Sequence, residues 1–435
     1  MKKLILMLFA GTCILTAQEN VMNLDLQQAI QIALDKNTEI NVAKLEVNKS
    51  EEKLREARSG LFPQIDANGQ YQRYIEKPVI FLPPGSPFGD VLEIGSDNSY
   101  LGSLNASIPL FSLGLYNGIS VASKSVELNS QSLQLTELKT ISDVKKMFNS
   151  VLLAREYIDV INQSLQNAID QFENVKRRNE QEVASDYDLL RAEVQVENLK
   201  PQVIQAENNY KIAKENLKVL IGLDAKQDIE VLGELEFEGQ YNISADQLLN
   251  EVLTNNPQLS LINKQKEIAN KTISLEKSAY FPSLAAFGNY QYQTQANNFE
   301  FSDYKWVSTF VVGVQLQIPI FNGFKTPARV EQASITFDQV ERQRKGLTEA
   351  LKTQLQNIVY QIEQAVLRIK GQDKNIEQAE EGYEIAKTRF ENGLSTQLEV
   401  NDVELALRQA KLNKLQAVYD LRIAEANLQL ILGKK

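Results

Sequence analysis

The chain has 435 residues, 43% of them hydrophobic, a formal net charge of −10 and no histidine. Without histidine the usual general base, zinc ligand and pH switch are missing, and the one cysteine, Cys13, rules out a Cys/His metal set and a disulfide within the chain. No Gly-rich phosphate loop follows a strand, so no enzyme, cofactor or metal is expected, and the acidic balance argues against a nucleic-acid partner.

Met1 to Ala17 reads as a secretory signal peptide: Lys2 and Lys3, an apolar run too short to span a bilayer, then small residues around Thr16 and Ala17. Acylation of Cys13 is the alternative, although Ala10 and Thr12 suit it poorly. No later stretch approaches the ~18 apolar residues of a membrane helix, so any membrane segment has to be built from strands.

Leu24 to Lys36 carries Leu26, Ile30 and Ala33 at helical spacing, with Asn37 as a stop, and a second helix follows over Ile40 to Ser59. From Pro63 the period falls to two. Ile65, Ala67, Gly69 and Tyr71 alternate with Gln64, Asp66, Asn68, Gln70 and Gln72, giving a strand with one apolar and one amide-rich face. Pro- and Gly-rich residues 76–99 read as a loop, and Leu104, Ala106, Ile108 and Leu110 alternate in a returning strand. Between Gly114 and Arg178 there is no proline and apolar residues recur every three, four or seven positions, which predicts one very long helix. A return helix over 185–222 follows, with an interruption expected at Pro201.

The acidic, unperiodic residues 223–243 read as a connector, after which the pattern starts again. Leu284, Ala286, Gly288, Tyr290 and Tyr292 form a third strand, broken in its alternation by Phe287. Phe310, Val312, Val314, Leu316, Ile318 and Ile320 form a fourth. A second helical hairpin fills 325–433, with Asn392-Gly393 at its bend where the first hairpin has Glu182. The two halves align residue by residue: Val183 to Gly222 with Leu394 to Gly433, Leu61-Phe62-Pro63 with Tyr280-Phe281-Pro282, and Ile108 to Ser112 with Ile318 to Asn322. The repeats are therefore 18–222, with strands at about 63–75 and 100–111 and a hairpin at about 113–222, and 244–435, with strands at about 282–294 and 306–320.

Strands of about ten residues fit a tilted membrane strand. Tyr71, Tyr100, Tyr290 and Trp306 toward the loop ends, and Phe111 and Phe321 toward the helix ends, read as aromatic groups at the two membrane interfaces. Four strands leave two open edges in lipid and closure takes about eight or more, so either a dimer or a trimer meets the requirement. A secreted periplasmic coiled-coil protein with a small sheet is the alternative, but it leaves the leader, the amide-lined strand faces and the duplication unexplained.

Leu26 to Leu34 with Asn37, Asn255-Asn256-Pro257, Tyr280 to Leu284, Ile318 to Gly323, and Arg389-Phe390-Glu391-Asn392-Gly393 leading into Leu398-Glu399-Val400 follow one another in order. This succession resembles the TolC-like outer-membrane efflux proteins over nearly the whole chain. The resemblance implies a mainly α fold with a membrane β-barrel: a homotrimer closes a 12-stranded barrel in the outer membrane, continuous with a helical tunnel across the periplasm. It implies a duct for efflux or type I secretion that meets a periplasmic adaptor protein and, through it, an inner-membrane transporter. It places the periplasmic gate at Glu399 and Asp402, with Asp188 and Arg191 at the equivalent positions of the first repeat. The adaptor-contact tips fall at Val183, Ala184 and Ser185 and at Gly393, Leu394 and Ser395. Glu399 also completes a capping-box pattern with Thr396, and a role as hairpin staples is the alternative for Val183 and Leu394.

Overall fold

The computed structural model describes residues 21–237 and 244–435. The leader, Cys13 and the last part of the connector lie outside the described residues. The elements are β1 (Met22–Leu24), α1 (Leu26–Lys36), α2 (Thr38–Ser59), β2 (Gln64–Arg73), β3 (Val79–Phe81), β4 (Val91–Glu93), β5 (Asn98–Ser112), α3 (Leu113–Glu180), α4 (Asp186–Ile221) and β6 (Ile229–Val231). They continue with α5 (Ala245–Asn255), α6 (Pro257–Lys277), β7 (Ser283–Ala296), β8 (Val307–Gln317), α7 (Lys325–Glu391) and α8 (Gln397–Ile431). No helix among the described residues is long and apolar enough to cross a membrane. The chain forms two compact units, and each draws on both repeats.

The helical unit comprises residues up to Val42, Gln134–Pro257 and Thr348–Lys435. Its core runs along all four long helices, with Ile141, Val144, Phe148 and Val151 from α3, Leu217 and Ile221 from α4, Leu355, Ile362 and Ile369 from α7 and Leu421 from α8 buried. The two repeats meet their return helices through the same device. Asn37, which ends α1, donates from Nδ2 to the Leu220 carbonyl at 2.7 Å, and Asn256, which ends α5, donates to the Ile431 carbonyl at 2.9 Å. The glycine just beyond each return helix, Gly222 (φ 75°) and Gly433 (φ 69°), sits against the backbone of that same short-helix end. The helix starts differ: Asp25 and Gln28 form a reciprocal capping box, whereas Ser244 makes no side-chain cap.

Two expectations change in this unit, and one further feature emerges. The connector is not structureless, because β6 pairs in parallel with β1 (Met22 to Ile229, Leu24 to Val231) and buries Leu24, Ile229 and Val231. Arg155 secures the chain after it by donating to the carbonyls of Val231 and Gly233. Pro201 does not interrupt α4; losing one N–H donor in a helix packed along its length is insufficient to end it. Glu425, on α8, is not an ordinary surface carboxylate. Burial outweighs Arg422, whose Nη1 lies 3.0 Å away, and pushes its carboxyl up to about 7. A raised carboxyl pKa means that the folded chain binds the proton more tightly than the unfolded one. The benefit is complete below the ordinary carboxylate range and is lost as pH rises through about 7. Glu425→Gln is therefore expected to raise the melting temperature at about pH 8, leave it unchanged near pH 4, and flatten the profile between them, as thermal melts across pH will show.

The strand-bearing unit comprises Ala43–Leu133 and Gln258–Leu347. Its sheet has the order β2-β5-β7-β8, antiparallel throughout. Register puts Ile65, Ala106, Gly288 and Val312 side by side on one face and Asp66, Asn105, Asn289 and Val311 on the other. On the polar face the Asn289 amide donates to Asn105. Phe287, which breaks the alternation, places the tip of its ring over Gly313, where an added Cβ would stand 2.7 Å from it. The sheet is carried on α3 and α6, clamped by Lys124 and Lys264 against Glu127 and Glu267 at 2.9–3.4 Å.

The strands also depart from the expectations. A bulge between Pro109 and Phe111 shifts the end of β5, so Phe111 rather than Leu110 stands opposite Leu284. β8 stops at Gln317, leaving Ile318 and Ile320 outside it, since Pro319 has no N–H for a ladder. Residues 76–99 are not a plain loop: β3 and β4 pair within them, and β5 begins at Asn98.

Candidate functional site

The tips of the two helical hairpins are brought together by one apolar cluster. Val175 of α3, Ala192 of α4, Ala386 and Phe390 of α7 and Val400 of α8 are buried, with Phe172, Ala184, Leu189, Tyr383 and Val403 packed around them. Each bend is closed by the same backbone bond five residues long, Val183 N–H to the Arg178 carbonyl and Leu394 N–H to the Arg389 carbonyl, both at 2.8 Å. Glu182 (φ 61°) and Gly393 (φ 75°) take the left-handed conformation this requires, glycine without strain and glutamate with it.

These bends leave Val183 and Leu394 facing solvent, 64% and 69% exposed. Neither is tucked against its own hairpin as a staple. Gly393 is exposed beside Leu394, whereas Ala184 packs into the cluster. Ser185 caps α4 and forms a reciprocal box with Asp188, accepting from the Asp188 N–H at 3.1 Å and donating to its carboxylate at 2.7 Å. Ser395 donates to Glu399 at 2.8 Å, and the Ser395 hydroxyl holds the Glu399 carboxyl below its ordinary range, with help from Arg389 and Thr396.

Asp188 and Glu399 are therefore engaged at helix starts. Asp402 differs: it is exposed on α8 and has no ion-pair or hydrogen-bond partner among the described residues. Arg191 leans over the Tyr187 ring at 5.8 Å and makes no ion pair among the described residues.

Two features of the tip have no signal in the sequence. Arg178 and Arg389 occupy equivalent positions in the repeats, yet Arg389 turns back to the Leu394 carbonyl at 3.2 Å while Arg178 crosses to the other hairpin. Arg178 donates to the Phe390 carbonyl at 2.5 Å and covers the Phe390 ring at 4.9 Å. One turn further in, Glu404 and Arg408 look like an ordinary surface i,i+4 pair, but Glu404 is buried and the Arg408 side chain is mostly covered, 3.8 Å apart. Glu404 Oε2, Arg408 Nη1, Gln171 Nε2 and Gln397 Oε1 have no hydrogen-bond partner among the described residues. A small cavity lined by Asn167, Gln171, Gln195, Tyr383, Asn401 and Glu404 adjoins them. Burial, with Glu404 nearby, pushes the Tyr383 hydroxyl up to about 12.

The strand-bearing unit supplies the other functional surface. β2 is exposed at all ten residues and β8 at every residue but Gly313, so both edges of the sheet are bare. Tyr71 stacks on Tyr100 at 4.9 Å and Trp306 on Tyr292 at 4.8 Å at the loop end of the apolar face. Tyr290, by contrast, sits deeper, against Phe310 at 6.4 Å in the middle of the ladder. Phe111 and Phe321 lie at the helix end, with Phe321 edge-on to Phe324 at 5.4 Å.

A duplicated chain with this sheet and these hairpins matches the model of the outer membrane efflux protein family over residues 29–223 and 248–434. The chain belongs to the outer membrane efflux protein family. The outer membrane protein TolC of Vibrio cholerae is 22% identical over 437 residues, covering 100% of this chain and 96% of its own length. The alkaline protease secretion protein AprF of Pseudomonas aeruginosa is 20% identical, covering 100% and 89%. Among solved structures, the CmeC outer membrane channel of Campylobacter jejuni superposes with a TM-score of 0.74 at 17% identity, covering 94% of this chain and 85% of its own. Membership makes this an efflux protein of the outer membrane.

Proposed function

We propose that the protein is the outer-membrane duct of a tripartite efflux or type I secretion assembly, and that it conducts substrates passively. The observation that carries this reading is the four-stranded sheet with an apolar face, an amide-rich face and two bare edges. In hydrocarbon an open edge leaves backbone groups unsatisfied, so the sheet is stable there only when copies join edge to edge. Three copies closing a 12-stranded barrel is the arrangement the family resemblance supplies. Tyr71, Tyr100 and Trp306 then form the outer interfacial belt, and Phe111 and Phe321 the inner one.

The hairpin tips form the periplasmic entrance. Val183 and Leu394 offer the apolar contact to a periplasmic adaptor (membrane fusion) protein, through which an inner-membrane transporter delivers its cargo. The curated relatives support both uses: one is named as an antibiotic efflux pump outer membrane protein of Pseudomonas putida, and AprF for protease secretion. Asp402 is the gate residue, because its carboxylate is unengaged while Asp188 and Glu399 serve as caps. The Glu404–Arg408 layer, charged and short of hydrogen bonds, lowers the cost of separating the hairpins at this level.

Three symmetry-related Asp402 carboxylates focus cations at the entrance. Single-channel recording in planar bilayers is expected to show a cation-preferring pore, and Asp402→Ala to raise conductance or weaken that preference. Unchanged conductance and selectivity would put Asp402 on the outer surface of the tip.

A further inference from the structure

Residues 74–97 are held away from the sheet as an arm. Its stem is pinned: the Tyr74 N–H donates to the Asp97 carbonyl at 2.8 Å, Lys77 Nζ lies 2.8 Å from Asp97, and the Asp97 N–H donates to Asn297 at 2.9 Å. Beyond the stem, β3 and β4 pair in the register Val79 to Glu93, Ile80 to Leu92 and Phe81 to Val91. The Ile94 N–H closes on the Pro78 carbonyl and the Leu82 N–H on the Asp90 carbonyl, both at 2.9 Å, and Pro83-Pro84-Gly85-Ser86-Pro87 stiffens the end.

Both faces of this ribbon are bare. Val79, Phe81 and Val91 stand on one and Ile80 and Leu92 on the other, with Phe81 79% exposed. A two-stranded ribbon is marginal in water by itself, and large apolar residues on both faces make it more so. Lipid suits it poorly too, because both ribbon edges carry unpaired N–H and C=O groups that hydrocarbon cannot satisfy. The position of the arm selects the occupant. It continues directly from β2, the bare edge strand, at the end of the sheet where β8 begins. Antiparallel closure of β2 on β8 of another copy brings that copy's exposed Trp306, Val307 and Phe310 to the same rim.

We infer that the arm is a clasp between subunits, its apolar ribbon lying over the loop end of β8 in the neighbouring copy. The inference rests on the edge-to-edge closure proposed above. It is tested by placing a benzophenone on Phe81→Cys, and separately on Ile80→Cys, in the full-length chain carrying Cys13→Ser, and irradiating the protein in native outer membranes. Both positions are exposed, so neither substitution threatens the fold. The expected result is a covalent ladder of two and three chains on denaturing gels, with the attachment mapping to about residues 304–312 of a second copy for at least one site. Phe81→Asp is expected to lower the temperature at which the assembly dissociates. Attachment only within the same chain, to lipid, or nowhere, in an assembly that is otherwise intact, overturns the clasp and leaves closure standing. A chain that never assembles overturns both.

Discussion

Aspartate at Val183 or Leu394 is expected to abolish export while leaving the protein folded and assembled. Both side chains are about two-thirds exposed at bends that are closed by backbone bonds, so neither bend needs its apolar side chain to hold its shape. The apolar cluster that joins the hairpins lies behind them and includes Ala184 but not Val183 or Leu394. A carboxylate there costs the isolated protein little. At a docked adaptor surface, however, it is buried without a partner, at a cost of several kcal/mol, which is enough to lose the contact. Adaptor pull-down and export are both expected to fail, and the heat-stable assembly to persist on gels. Loss of the assembly would make these residues structural, and retention of adaptor binding and export would place docking elsewhere.

A larger effect on stability is expected at Gly222 and Gly433. Each has a left-handed backbone, and an added Cβ would lie 2.6 Å from the Lys36 carbonyl oxygen at Gly222 and 2.5 Å from that of Asn255 at Gly433. Backbone cannot move aside as a flexible side chain can, and the shift also pulls Asn37 and Asn256 off the return-helix carbonyls. Strain and overlap together amount to about 2–6 kcal/mol for alanine at either position. Gly393→Ala is the control. Its φ is also 75°, yet the nearest atom is the end of Arg178 at 3.8 Å, so only the conformational cost of about 1–3 kcal/mol applies. Melting curves of the purified proteins are expected to place Gly222→Ala and Gly433→Ala well below Gly393→Ala.

What was legible in the sequence was whatever a period or a repeat could carry. The sustained spacing from Ile119 to Val175 gives α3, strict alternation from Phe310 gives β8, and aligned glycines locate both return-helix ends. What escaped depends on contacts distant in sequence. β1 and β6 are three residues each, too short for a period, and are defined only by pairing with one another. The bulge at Pro109 leaves local alternation intact on either side and appears only in the partner strand's register. At the tip, Glu399 was readable as a cap because the cap lies within four residues, and the exposed bends were readable as turns, whereas the matching Ser185–Asp188 box emerged only in the structure. Arg178 and Arg389 are interchangeable in the alignment, yet one crosses to Phe390 and the other turns back to its own bend. Glu404 and Arg408 follow the spacing of a surface pair, so their burial depends on the placement of the other three helices.

The central claim is that the bare edges of the sheet are closed by copies of the same chain in the outer membrane. Native mass spectrometry of the protein extracted by detergent from isolated outer membranes measures this directly. The account predicts a particle of three chains that on gels changes mobility only after heating. A single chain recovered from the soluble periplasmic fraction without detergent would contradict it.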